Sequence, residues 1–92
     1  MGMMQVPDDV VADVRQRLRC AHGQVQAVER MLGEGREFRE VLRQLSAPTK
    51  ALEQAAFMLV ASAFTYSREH PEQAAEDGYH VDEVRRMFME LS

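Results

Sequence analysis

The side chains most able to do chemistry in this chain are arginines, and their placement points to anion binding. Between residues 15 and 50 stand eight basic groups (Arg15, Arg17, Arg19, Arg30, Arg36, Arg39, Arg43 and Lys50) against four acidic ones. The flanks are acidic: residues 1–14 carry Asp8, Asp9 and Asp13, and residues 51–92 carry eight carboxylates against three bases, leaving a net charge of −4. A basic middle between acidic ends allows one electropositive face, where guanidinium groups pair with phosphate through parallel hydrogen bonds. An ordinary solvated helix surface would give the same mixture of charges. Soft-metal chemistry needs thiolate or imidazole donors in register, and the chain offers only Cys20, His22, His70 and His80. Cys20 and His22 are two residues apart, about 200° around a helix, so one ion cannot easily take both. Catalytic constellations are missing: there is no glycine-rich phosphate loop and no nucleophile elbow. A small helical enzyme with an arginine-lined pocket would draw on Arg15, Arg19 and Arg36, but their spacing does not select it, so the chain is not expected to be an enzyme.

The elements that must position these groups are helices. Val14, Leu18, Ala21, Val25, Val28 and Leu32 recur at alternating steps of four and three, the apolar stripe of one long helix. Asp8 or Asp9 is the expected cap of its start, and Gly33 and Gly35 end it. Phe38, Leu42, Leu45, Thr49, Leu52, Ala56, Leu59, Ala63 and Tyr66 repeat in the same way and define a second helix. From Ala55 to Phe64 this helix is apolar nearly all round. A single neighbouring helix cannot cover it, which predicts packing between subunits. Pro48 lies inside and should kink the helix or restart it at Ser46. Residues 72–78 look like an acidic linker, after which Val81, Val84, Phe88 and Leu91 mark a third helix. The expected organisation is thus a single all-α domain over 1–92, with helix one about 9–32, helix two about 36–69 and helix three about 80–91.

A chain of 92 residues buries a modest share of its surface, and oligomerisation is a natural route to more. No apolar run approaches the roughly 18 residues of a membrane span. The opening Met1-Gly2-Met3-Met4-Gln5 lacks the regions of a secretory leader, and one cysteine suits a reducing compartment. A cytoplasmic location is expected.

Arg17-Leu18-Arg19 with Gly23-Gln24, then Arg30-Met31-Leu32, then Val41-Leu42-Arg43-Gln44-Leu45-Ser46-Ala47 together resemble the copper-sensitive operon repressor family (CsoR/RcnR-like). These are small helical transcriptional regulators that release operator DNA when a ligand binds. The resemblance runs over residues 10–90. It implies three helices per protomer, an antiparallel four-helix-bundle dimer built from the first two helices, and a dimer of dimers. It also implies a repressor that contacts double-stranded operator DNA through Arg17 and Arg43, with Arg19 on another side of the first helix. Without a helix-turn-helix spacing, readout by shape and phosphate is expected. The alternative is a helical oligomerisation module that keeps the fold and has lost DNA binding.

The family's metal site takes a cysteine at the start of helix two and a His/Cys pair four residues apart on helix two of the other protomer. The matching residues here are Phe38, Ala63 and Ser67, none of them a soft ligand for Cu(I). Phe38 and Ala63 continue the apolar stripe, so the site is expected to be filled by packing. Glu83 matches an outer-shell acid and stands as a remnant. No cofactor is expected, although recruitment of His70 and His80 near Glu37 and Glu83 stays open. Such a regulator would be constitutive, answer another signal, or assemble with a sensing paralogue.

Overall fold

The computed structural model describes residues 4–91, all helix and connection with no strand among them. Helix α1 spans Asp8–Gly33, α2 Phe38–Glu69, α3 Pro71–Glu76 and α4 Val81–Glu90. The opening residues Met1 to Met3 and Ser92 lie outside the described residues. No helix among those described is long and apolar enough to cross a membrane.

The three long helices fall where the apolar periodicity puts them, and their ends follow from local chemistry. The expected cap at Asp8 or Asp9 is corrected. Pro7 is the N-cap and has no capping side chain, and Asp8 and Asp9 occupy the first turn. There they act on the positive end of the helix dipole without capping it. At the other end Gly35 has φ 70. Its N–H reaches the Leu32 carbonyl at 3.2 Å, and the Arg36 N–H reaches Met31 at 3.0 Å. That paired reach is a Schellman stop, and the left-handed residue it needs is a glycine. Gly33 is still helical.

Helix α2 begins at Phe38, two residues later than expected, because Glu37 adopts extended geometry and accepts the Arg39 N–H on its carboxylate. It then runs unbroken to Glu69 with Pro48 inside, so the restart at Ser46 does not occur. Hydroxyls serve carbonyls on either side of the proline: Ser46 Oγ donates to Arg43 at 2.7 Å, and Thr49 Oγ1 donates to Leu45 at 3.1 Å.

The acidic stretch after His70 is also corrected, since it forms α3. Pro71 supplies a preset φ and no wasted N–H at the first turn. Gly78, with φ 85, closes the helix by a second Schellman stop, Tyr79 to Ala74 at 2.7 Å and Gly78 to Ala75 at 3.2 Å. Ala74 is fully buried, and Tyr66 on α2 donates its phenol hydrogen to Asp77 at 2.6 Å. Hydrogen bonding to Asp77 raises the Tyr66 pKa from 10.0 to about 12. The folded value lies above the unfolded one, so this bond's contribution is complete below pH 10 and is lost as pH rises through about 12. In a spectrophotometric titration the late phenolate phase should vanish in Tyr66→Phe. A variant that kept it would refute the assignment.

Helix α4 returns along α2. Val84 is fully buried, and Phe88 meets Phe57 edge to face at 5.6 Å between ring centres. Its start is capped by His80, whose Nδ1 accepts the Asp82 N–H at 3.2 Å.

Helices α1 and α2 form a long antiparallel hairpin. Its seam is made of small side chains at seven-residue intervals: Val14, Ala21 and Val28 face Val41, Pro48, Ala55 and Ser62, all buried. The molecule measures 55 × 25 × 18 Å, with a radius of gyration of 17.2 Å. A compact chain of this length would have about 12 Å. The leucines stay outside with Val25 and Phe38: Leu18, Val25 and Leu32 on α1, and Phe38, Leu42, Leu45, Leu52 and Leu59 on α2 are all exposed.

Candidate functional site

The hairpin has two unlike faces, and the seam separates them. On α1, the residues four after each seam position are Leu18, Val25 and Leu32, and those three after are Arg17, Gln24 and Met31. At about 100° per residue, these fall on opposite sides of the seam. The same rule on α2 puts Leu45, Leu52 and Leu59 on one side and Gln44, Ala51 and Met58 on the other. In an antiparallel pair the equivalent sides of both helices coincide. One face of the hairpin is therefore an apolar stripe, and the other is a groove that mixes polar side chains with Met31, Ala51 and Met58.

The groove has a volume of about 640 Å³ and is lined by Arg17, Cys20 and Gln24 from α1 and by Ala47, Lys50 and Gln54 from α2, among others. Arg17 is held across it. Its Nε donates to Met58 Sδ at 3.0 Å, and its Nη1 donates to Gln54 Oε1. Neither partner carries charge, so these two contacts do not offset the charge of the guanidinium. Lys50 stands seven residues after Arg43, which places both on one ridge of α2. Three basic side chains on other parts of the surface are used differently, while Arg15, Arg19, Arg30, Arg39 and Arg68 make no ion pair among the described residues. Arg36 pairs with Glu40 at 2.8 Å, Arg85 with Asp82 at 3.2 Å and Arg86 with Glu83 at 2.9 Å. Exposed pairs of that kind add little stability, but they reduce the charge a ligand feels. Arg17, Arg43 and Lys50 make no ion pair among the described residues.

Arg19 behaves differently from Arg17. It donates to Gln16 at 3.0 Å and lines a separate shallow depression with Arg15, Leu18 and His22. The structure therefore joins Arg17 to Lys50 and separates both from Arg19. Lys50 was legible as a continuation of the Arg43 ridge. Gln54 and Met58 carried no signal, since a neutral side chain facing a neighbouring helix leaves no mark in the sequence.

The three positions matched to metal ligands do not meet within the protomer. Phe38 and Ala63 are 25 residues apart on one helix, roughly 37 Å along its axis. Phe38 is 72% exposed, so the expected apolar filling does not form inside one chain. Ala63 and Ser67 are buried, and Ser67 Oγ donates to the Phe64 carbonyl at 2.9 Å. A phenyl ring, a methyl group and a committed hydroxyl do not fit a soft metal ion. Glu83 lies in its ion pair on α4. His70 stands at the junction of α2 and α3, with its ring 5.7 Å from Tyr66. Among the described residues no group of three or more His, Cys, Asp or Glu side chains is placed to hold a metal ion.

No curated protein and no solved structure matches the chain. The profile of one family, described as metal-sensitive transcriptional repressor, matches residues 11–90, and with most of its length so matched the protein belongs to that family.

Proposed function

We propose that the protein is a DNA-binding transcriptional repressor whose metal-sensing site is degenerate. The observation that carries this is the opposition of two faces on one hairpin, with Arg17 and Lys50 lining the groove on one side and uncovered leucines on the other. Arg43 stands one heptad before Lys50 on the outer ridge of α2. Apolar faces of two hairpins packed together give a four-helix bundle, and two such dimers give a tetramer. The groove sides then remain outward, where Arg17 and Arg43 meet the phosphates of operator DNA and Arg19 lies at their margin. Counterion release drives the binding. Its place of action is the cytoplasm, where the DNA is.

The net charge of −4 favours a second reading, a helical interaction module without DNA binding. A gel shift with the DNA upstream of its own gene separates the two. The repressor retards that DNA with an affinity that falls steeply as salt rises. A chain that leaves it unshifted at low salt is the module.

In the bundle, Phe38 of one protomer takes the place of a ligand beside Ala63 and Ser67 of the partner subunit. With no thiolate there, the resting repressor does not answer to Cu(I), and it acts constitutively, through another signal, or with a sensing paralogue. Titrated against a competing Cu(I) chelator, the protein should leave the metal with the chelator. Stoichiometric transfer to the protein would contradict the degenerate site.

A further inference from the structure

We propose that Gln54 is a positioning residue for the phosphate contact of Arg17, a role that rests on the DNA reading above. A guanidinium has five N–H donors and no acceptor. Two of the Arg17 donors are committed to α2, Nε to Met58 Sδ at 3.0 Å and one on Nη1 to Gln54 Oε1. That leaves the second Nη1 hydrogen and the Nη2 amino group, the end of the fork that can meet phosphate oxygens. Gln54 and Met58 are four residues apart on α2 and so form adjacent points of one clamp.

The chemistry of the clamp is what recommends it. A carboxylate at residue 54 would hold the arginine equally well and cancel its charge. An amide oxygen and a thioether hold it and leave the charge for a ligand. A long flexible side chain that is already oriented loses less freedom when it binds. Lys50 and Asp13 line the same groove, so a phosphate approaching Arg17 meets a second cation and one carboxylate. Because the clamp residues are on α2 and the arginine on α1, the orientation of Arg17 also depends on the register of the two helices.

The test is an anisotropy titration of upstream DNA over a salt series with Arg17→Ala, Gln54→Leu, Gln54→Glu and the double variant Arg17→Ala/Gln54→Leu. Residue 54 is exposed, and circular dichroism with sizing checks that each variant keeps its fold and assembly. Gln54→Leu should weaken binding about two- to tenfold, the worth of one hydrogen bond, with the salt slope unchanged because no charge is lost. Gln54→Glu should weaken it further and lower the slope by about one. In the Arg17→Ala background, Gln54→Leu should have no further effect. Wild-type affinity for Gln54→Leu overturns the positioning role, and so does an equal loss with and without Arg17. Wild-type affinity for Arg17→Ala instead overturns the underlying DNA contact, and the clamp falls with it.

Discussion

Arg17→Ala/Arg43→Ala should lose on the order of a hundredfold in affinity for its upstream DNA at matched salt. A hydrogen bond to a charged group contributes about 1.5–3 kcal/mol, so removing two phosphate contacts costs at least about 3 kcal/mol. The salt dependence should become shallower by about two in the slope of log K against log salt, one for each lost phosphate contact. That second readout matters, because a variant that merely loosened the fold would lose affinity without losing slope. Both residues are exposed, and Arg17 leaves behind only the neutral Gln54 and Met58. The variant should therefore keep its helix content and its assembly. A double variant that shifts the DNA as wild type does would remove Arg17 and Arg43 from the interface and favour the interaction module.

Leu45→Glu should break the assembly. Leu45 lies mid-way along the apolar face, four residues after the seam position Val41, and is 43% exposed in the single chain. In a symmetric bundle the substitution acts twice. Losing the remaining burial of two leucines costs roughly 1–3 kcal/mol, which weakens dimerisation about ten- to hundredfold. Two carboxylates brought into an apolar seam add to that. By size-exclusion with light scattering the variant should run as monomer where the parent runs as dimer or tetramer. Its thermal transition should also fall, because the buried seam of Val14, Ala21, Val28, Val41 and Ala55 is small for a hairpin 55 Å long. An undiminished assembly would show that the leucine stripe is not the interface.

The two tests address opposite faces of one hairpin, and the sequence held much of that arrangement. Seven-residue recurrence in α1 and α2 fixes two long helices, and Gly35 fixes where the first one stops, since only glycine takes its φ of 70 without strain. The absence of a soft donor at Phe38, Ala63 and Ser67 is chemistry that no fold alters. Heptad spacing alone left open which stripe meets which helix. The α1 pattern merges two sets. Val14, Ala21 and Val28 are buried within the chain, whereas Leu18, Val25 and Leu32 are left for another surface. On α2 the recurrent stripe from Phe38 to Leu59 is almost wholly the outer set, and the intrachain seam runs through Val41, Pro48, Ala55 and Ser62.

Side-chain size accounts for the partition of the leucines and alanines, while valine stands in both sets. Small residues at the seam let the two helix backbones approach closely, and bulky leucines are held off to the side. Periodicity reports an angle around one axis and carries no information about a second helix. For the same reason the helix Pro71–Glu76 was hidden in an acidic stretch too short to show a period. Its folding rests on Ala74 being buried and on Tyr66 of α2 reaching Asp77, contacts that form only once the chain has turned at His70. By itself the sequence determined a helical protein with a basic middle and no soft donor at residues 38, 63 and 67. Only the tertiary structure decided that Arg17 is held by Gln54 and Met58, because a hydrogen bond between side chains 37 residues apart exists only once α1 and α2 are in register.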